Sequence, residues 1–327
     1  MGITNFDVIK ANAVIGASFL TQGQQFFVKP YTGSDGNNGK SPRKAFKTMG
    51  KVLSAMTANQ NDVAWLFAES NTPGASTDYQ SATLDWNKDL CHIIGVNAGG
   101  PVAQHSRVAF ISTYVTASNL FTLSANGCLI ANIQFFAGVA DANPTGCVKV
   151  TGERNKFLNC HIAGIGNDLN DIAGAYSLKL DGAAECIFDD CTIGLDTIAR
   201  GTGANSGLLV DTEATRNEFR NCRFIAQVEH ATNHVHVRLA DATSIDRYLL
   251  FKDCLFYYMS PNYAVGATGV MKLTAALTQG YIIVQRGMAF SDKPTVAIKW
   301  DVDDRNQIAL LAEATPAADT AGVVLWV

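Results

Sequence analysis

Five segments of this 327-residue chain repeat one short pattern, and no other feature restricts the fold as tightly. They are Ile130-Ala-Asn132-Ile133-Gln-Phe135, Phe157-Leu-Asn159-Cys160-His-Ile162, Phe188-Asp-Asp190-Cys191-Thr-Ile193, Phe219-Arg-Asn221-Cys222-Arg-Phe224 and Phe251-Lys-Asp253-Cys254-Leu-Phe256. The cysteines Cys160, Cys191, Cys222 and Cys254 recur at steps of 31, 31 and 32 residues. In each segment the leading apolar residue and the residue after Asn or Asp lie three apart, whereas a continuous strand returns to one face only at even separations. The chain therefore bends between them, at Asn132, Asn159, Asp190, Asn221 and Asp253. Asn and Asp are the non-glycine residues that best tolerate the left-handed backbone of such a corner.

A companion strand with the same period precedes each bend: Phe121–Leu123, Val148–Val150, Leu178–Leu180, Leu208–Val210, Val237–Leu239 and Met271–Leu273. Short strands, Asn/Asp corners and loops of variable length such as 164–175 and 194–206 describe one turn of a solenoid. Each turn covers its apolar side chains by stacking on the next, about 4.8 Å away. An α-solenoid would show i, i+3, i+4 spacing over about twelve residues per unit; the units alternate instead. The expectation is an all-β parallel β-helix over 58–275.

Composition agrees with this reading, since 47% of residues are apolar and 17% charged, which excludes a disordered chain. A formal net charge of −4 argues against a global grip on nucleic acid or anionic membrane. Asp7 and Lys10 interrupt the first apolar stretch, so no export signal is expected, and no apolar run reaches spanning length. The eight cysteines are accordingly expected to be reduced, with the recurrent four serving as small apolar fillers in preference to disulfides or metal ligands.

Ahead of the repeat, residues 26–57 predict a strand at Phe26–Val28, a glycine-rich loop, and an amphipathic helix with Ser41 as N-cap, Pro42 in its first turn and a stripe of Phe46, Met49, Val52, Leu53 and Met56. Such a helix would close the open end of the solenoid. Residues 1–25 are expected to form an arm or anchor. Residues 276–327 are expected to be an irregular β region whose terminal Trp326 is buried against a coil or a neighbouring subunit.

The extended strand, the loop Gly33-Ser-Asp35-Gly-Asn-Asn-Gly39-Lys-Ser41-Pro42, the Ala45-Phe46-Lys-Thr48 segment and the Asn-Cys corners together resemble the right-handed, pectate-lyase-like β-helix superfamily. The opening Met1-Gly-Ile-Thr-Asn-Phe-Asp-Val-Ile9 is similar to phage proteins that accompany a major capsid protein. This resemblance implies a virion component assembled in the host cytoplasm: a head decoration or cement protein, trimeric, partnered by the major capsid protein and other virion proteins, and not an enzyme. The alternative is a tailspike or head fibre that binds host surface glycan, with or without cleaving it; a polysaccharide lyase ranks third.

Asp181, Asp189, Asp190 and Asp211 stand where the superfamily's polysaccharide-cleaving members place acids, yet Asp190 belongs to the corner column, so no catalytic residue is assigned. His230, His234 and His236 suggest zinc, but a solvent-facing, His-rich strand explains them better; no metal or cofactor is expected. Asp35–Gly39 lacks the distal acid of a calcium loop and is read as a turn. The middle positions of the companion strands, Thr122, Lys149, Lys179, Leu209, Arg238 and Lys272, form a largely basic outward column. Lys149, Lys179, Arg238, Lys272 and Trp326 are therefore the candidate partner-binding residues. Asn159, Asp190, Asn221, Asp253 and the four recurrent cysteines are the structural ladder.

Overall fold

The computed structural model describes residues 23–70, 77–111, 117–230, 233–260, 269–293, 298–303, 307–311 and 323–325. The predicted arm falls almost wholly, and Trp326 entirely, outside them. From Val63 onward the chain cycles through three sheets, coil upon coil, as an all-β, right-handed parallel β-helix. Among the described residues sheet one holds eight strands, from Leu84–Trp86 to Lys299–Asp301, and the six companion strands are among them. Sheet two has ten strands, from Gln25–Val28 to Ile308–Leu311, and sheet three nine, from Thr77–Gln80 to Val323–Leu325. Among the described strands pairing is parallel except for Val323–Leu325, which lies antiparallel on Met288–Ser291.

The corner between sheets two and three takes the form that the odd spacing requires. Asn132, Asn159, Asp190, Asn221 and Asp253 all adopt left-handed backbone, with φ between 49° and 56°. Arg286 occupies the next corner with φ 50°, a residue type that gave no turn signal. Past each corner the chain re-enters the core at Ile133, Cys160, Cys191, Cys222 and Cys254, all fully buried or nearly so. The Cys191, Cys222 and Cys254 thiols each approach a backbone carbonyl at 3.3–3.4 Å. All eight cysteines are free and buried. Burial pushes the Cys128 thiol up to about 12 and Cys186 to about 11, which disfavours the reactive thiolate.

Inside sheet two, Phe157, Phe188, Phe219 and Phe251 stack face to face, with centroids 4.8, 4.6 and 5.1 Å apart. The corner between sheets one and two carries a second polar ladder that sequence reading did not single out. Buried Asn155 accepts from Cys128 N and donates to Ala125 O, and buried Asn217 does the same with Cys186 N and Ala183 O. Each amide satisfies backbone groups that a tight corner would leave orphaned.

The amino-terminal cap departs from expectation in detail. Pro42–Lys44 forms only a 3-10 turn, and Ser41 makes no side-chain cap. Phe46 is not helical, because its backbone is taken by the first strand: Phe46 N donates to Phe27 O and Lys29 N donates to Phe46 O. The helix runs Met49–Ala55 with Thr48 as N-cap, and it buries Met49 and Val52 against Gln25–Val28, Val63–Phe67 and Leu84–Trp86. Asp35 is a structural acceptor for Lys47 N, Thr48 N and Thr48 Oγ1. At the far end, the region expected to be irregular from 276 continues the coil: Tyr281–Gln285, Met288–Ser291, Lys299–Asp301 and Ile308–Leu311 each extend a sheet in parallel register. Among the described residues no helix is long and apolar enough to cross a membrane.

Candidate functional site

The left-handed corner turns the side chains of its column outward, and neighbouring residues complete a groove parallel to the solenoid axis. Along the adjoining edge of sheet two, Leu158, Asp189, Arg220, Lys252 and Gln285 follow one another in register. Two clefts open on this line. One, of about 430 Å³, is lined by Asn97, Asn132, Asn159, Asp190 and Arg223 among others. The second, of about 420 Å³, lies between Asp189, Glu218, Arg220, Asn221, Lys252, Asp253 and Gln285. The corner column lines both in succession, Asn132, Asn159 and Asp190 in the first and Asn221 and Asp253 in the second, and together they make one track of polar side chains.

Amides, carboxylates and cations alternate along the track and partly satisfy each other. Asn159 Nδ2 donates to Asn132 Oδ1 at 2.8 Å, Lys156 pairs with Asp189 at 3.0 Å, and Arg286 grips Asp253 with Nε and Nη2 at 2.6 and 2.8 Å. The Arg286 contact holds the Asp253 carboxyl below its ordinary range. Asp190 is shifted the other way, by partial burial first and then by the neighbouring Asp189 carboxylate. Asp190 is thus the weaker acid of the column, while the neighbouring Asp189 is held in an ion pair with Lys156. Of these residues, sequence reading found Asp189 and the corner column. It missed Asn97, Glu218, Arg220 and Arg223, which converge only because coils stack.

The outward column of sheet one is in register as expected, from Thr122 through Lys149, Lys179, Leu209 and Arg238 to Lys272. It is not, however, an uncompensated basic face. Lys149 pairs with Asp181 at 2.6 Å and Lys179 with Asp211 at 2.9 Å, each lysine meeting an aspartate one coil on. Although burial acts to raise it, the Asp181 carboxyl is held low by hydrogen bonds from Lys149 and Thr212. Arg238 is only 9% exposed, with Nη2 directed at Asn205 O. Lys149, Lys179 and Arg238 therefore serve this chain's own lattice of contacts, which corrects the expectation of a bare column awaiting an acidic partner; Lys272 stays half-buried on the same face. Asp181 and Asp211, weighed above as possible acids for catalysis, are the ion-pair partners.

The histidine-rich strand faces inward at its start. His234 and His236 are 2% and 0% exposed, while His230 is exposed, so the three do not converge. No cluster of three or more metal-ligating side chains exists among the described residues. His236 stacks on Tyr258 at 3.9 Å and approaches Phe224 and Phe256. The solvent-facing reading fails because Tyr258 covers this strand, its ring stacked on His236 and its hydroxyl accepting from His236 N at 3.0 Å.

No family model matches this sequence, and no curated protein matches it either. Solved structures do. A pectate lyase, Pel9A, superposes with TM-score 0.59 at 14% identity over 84% of this chain, which spans 64% of that enzyme's length. The pectin methylesterase PemA from Erwinia chrysanthemi gives 0.55 at 13% identity, covering 93% of both chains. A pectin methylesterase from Aspergillus niger gives 0.54 at 11% identity, covering 93% of this chain and 95% of its own. The expectation that this chain is not an enzyme is corrected by these neighbours: each is a polysaccharide-acting enzyme, so the scaffold is one that supports such chemistry. At these identities the likeness establishes what the coils and registers also show, a pectate-lyase-like parallel β-helix.

Proposed function

We propose that this protein holds an extended, hydroxyl-rich polysaccharide along the corner groove between sheets two and three, and that it does so on a phage particle as a spike or head fibre. The two clefts that follow one another along the corner, lined by Asn, Asp, Arg and Gln side chains from Asn97 to Gln285, carry this reading. Sugar hydroxyls both donate and accept. A groove alternating carboxylates with amides and guanidinia offers both partners at each step, and its internally balanced charge suits a neutral chain better than a polyanion. Coils rise by about 4.8 Å, so successive sugars would meet successive coils.

Asp189 and Asp190 give the track a reactive point. Asp190, made a weaker acid, donates a proton to the leaving glycosidic oxygen as the bond to the anomeric carbon breaks, and water adds to that carbon and gives up a proton to Asp189, which pairs with Lys156. The likeness of the first nine residues and the 33–42 loop to phage proteins supports the virion setting. The same likeness favours a second reading, a trimeric decoration protein on the major capsid protein, and electron microscopy of particles with and without the protein separates head from tail. The direct test is retention of the full chain on immobilised surface polysaccharides of candidate hosts, followed by a reducing-end assay. Wild type is expected to be retained, with Arg223→Ala and Arg220→Ala weakening retention at least tenfold and Asp190→Asn abolishing new reducing ends. Absence of retention on every host polysaccharide refutes the proposal.

A further inference from the structure

Beside the apolar core, the coils between 192 and 260 carry a small polar annex. The sheet-three strands Thr192–Arg200 and Arg223–Val228 outrun the three-residue strands Gln134–Phe136 and His161–Ala163 of earlier coils. Their added length holds a separate apolar cluster of Ala226, Val228 and Tyr258. Arg200, in register with Val228, is 1% exposed. His234 meets both His236 and Tyr258 edge-on, with centroids 5.9 and 6.3 Å away.

Hydrogen bonds fix the tautomer of His234. Buried Asn205 gives both amide hydrogens away, to Asp171 Oδ1 at 2.5 Å and Thr202 O at 2.9 Å. Its Oδ1 is therefore the acceptor facing His234 Nδ1 at 2.6 Å, so Nδ1 carries the hydrogen and Nε2 is a bare lone pair. That Nε2 has no partner; neither do both ring nitrogens of His236, Nη1 of Arg200 or Nε of Arg238. Burial, then the nearby His236, Arg200 and Arg238, keep His234 neutral.

The guanidinium of Arg200 reaches only carbonyls, Gly164 O at 3.2 Å and Leu195 O at 3.5 Å. Asp171, the acid it feels most strongly, is already taken by Gly201 N, Thr202 N and the Asn205 amide. A buried cation without an adjacent counter-charge is costly, as are buried donors and acceptors left open. The open groups are of two kinds: donors on Arg200 and Arg238, and an acceptor on His234, with neutral His236 offering one of each. A metal cation is repelled by Arg200, and a halide accepts but never donates.

We propose that Arg200, His234 and His236 form an internal site for a small, singly charged oxyanion bearing a hydroxyl, of the hydrogencarbonate or dihydrogenphosphate class. Its oxygens accept from Arg200 Nη1 and the N–H of His236, its O–H donates to His234 Nε2, and its charge balances Arg200. Binding to the native state alone raises stability with ligand concentration. The test is thermal unfolding of the full chain at pH 7.5 in sealed cells, titrating sodium hydrogencarbonate or sodium phosphate against sodium chloride at equal ionic strength.

The unfolding midpoint is expected to climb with the logarithm of at least one oxyanion's concentration and to stay flat in chloride. A response to one oxyanion only identifies which of the two the site takes. Arg200→Gln and His234→Phe are expected to abolish the climb; the second keeps a ring against Tyr258 and remains readable if the first does not fold. Equal midpoints in all three salts, as a water-filled annex would give, or a climb that survives His234→Phe, overturns the proposal.

Discussion

Replacing Phe219 by alanine removes the centre of the phenylalanine stack. The side chain is fully buried, stacked on Phe188 at 4.6 Å and on Phe251 at 5.1 Å, with Phe224 tilted against it at 5.6 Å. A buried Phe→Ala change costs about 3–5 kcal/mol through lost transfer energy and a residual cavity. Aromatic pairs contribute about 0.5–1.5 kcal/mol each beyond area burial. With both faces of the ring engaged and coils above and below unable to close the gap without breaking their own ladders, the upper end applies, about 5 kcal/mol. That is a large share of the roughly 5–15 kcal/mol that holds a domain together.

Because each coil contacts only its neighbours, the lesion should also uncouple the two halves of the stack. Urea unfolding followed by tryptophan fluorescence reports the described ends, Trp65 and Trp86 in the first coils and Trp300 in the last, while far-UV circular dichroism reports every coil. The variant should show a lower midpoint and transitions that no longer coincide between probes. Ile187→Ala, on the half-buried outer side of the coil below, is the control and should cost less than about 1 kcal/mol. A loss under 1 kcal/mol for Phe219→Ala, or equal losses for the two variants, would show that the stack does not hold the coils together as argued.

Two further outcomes follow from single residues. Asn221 sits at φ 52°, so Asn221→Val should cost about 1–2 kcal/mol and Asn221→Gly much less; melting temperatures that rank the two the other way contradict the corner assignment. Asp78 is buried against the helix N-terminus, where it accepts from Met49 N and Gln80 Nε2, and burial pushes its carboxyl up to about 7. Its folded pKa exceeds the unfolded value near 3.8, so its contribution is fully present below about pH 4 and is lost as pH rises through 7. At about 1.4 kcal/mol per pH unit the loss reaches at most about 4 kcal/mol. Asp78→Asn should therefore raise the urea midpoint at pH 8 and leave it nearly unchanged at pH 4; equal shifts at both values would count against it.

Much of the architecture was legible from spacing. The odd separation between Phe188 and Cys191 demanded a bend, and Asp190 was the residue able to make it; the companion strands, read from alternation, stack in the predicted register. Arg286 shows the limit, since arginine gives no turn signal and takes the left-handed corner because the stack below dictates where the chain must turn. The helix start was misplaced for a similar reason: Ser41-Pro42 is a sound local cap signal, but the backbone of Phe46 is worth more paired to Phe27 and Lys29 than coiled into a helix. The sites were less legible. Lys149 looked free until the coil above placed Asp181 beside it, and His236 looked exposed until Tyr258 stacked on its ring.

By itself the sequence determined the period, the bends and the inward-facing residues, because alternation and left-handed tolerance are properties of a few consecutive residues. Tertiary structure alone decided which charges cancel, which histidines are buried, and that Asn97, Asp190 and Arg223 share a cleft with residues a coil or more away. Burial and electrostatics depend on neighbours about thirty residues distant, brought within a few ångströms only when one coil settles on the next.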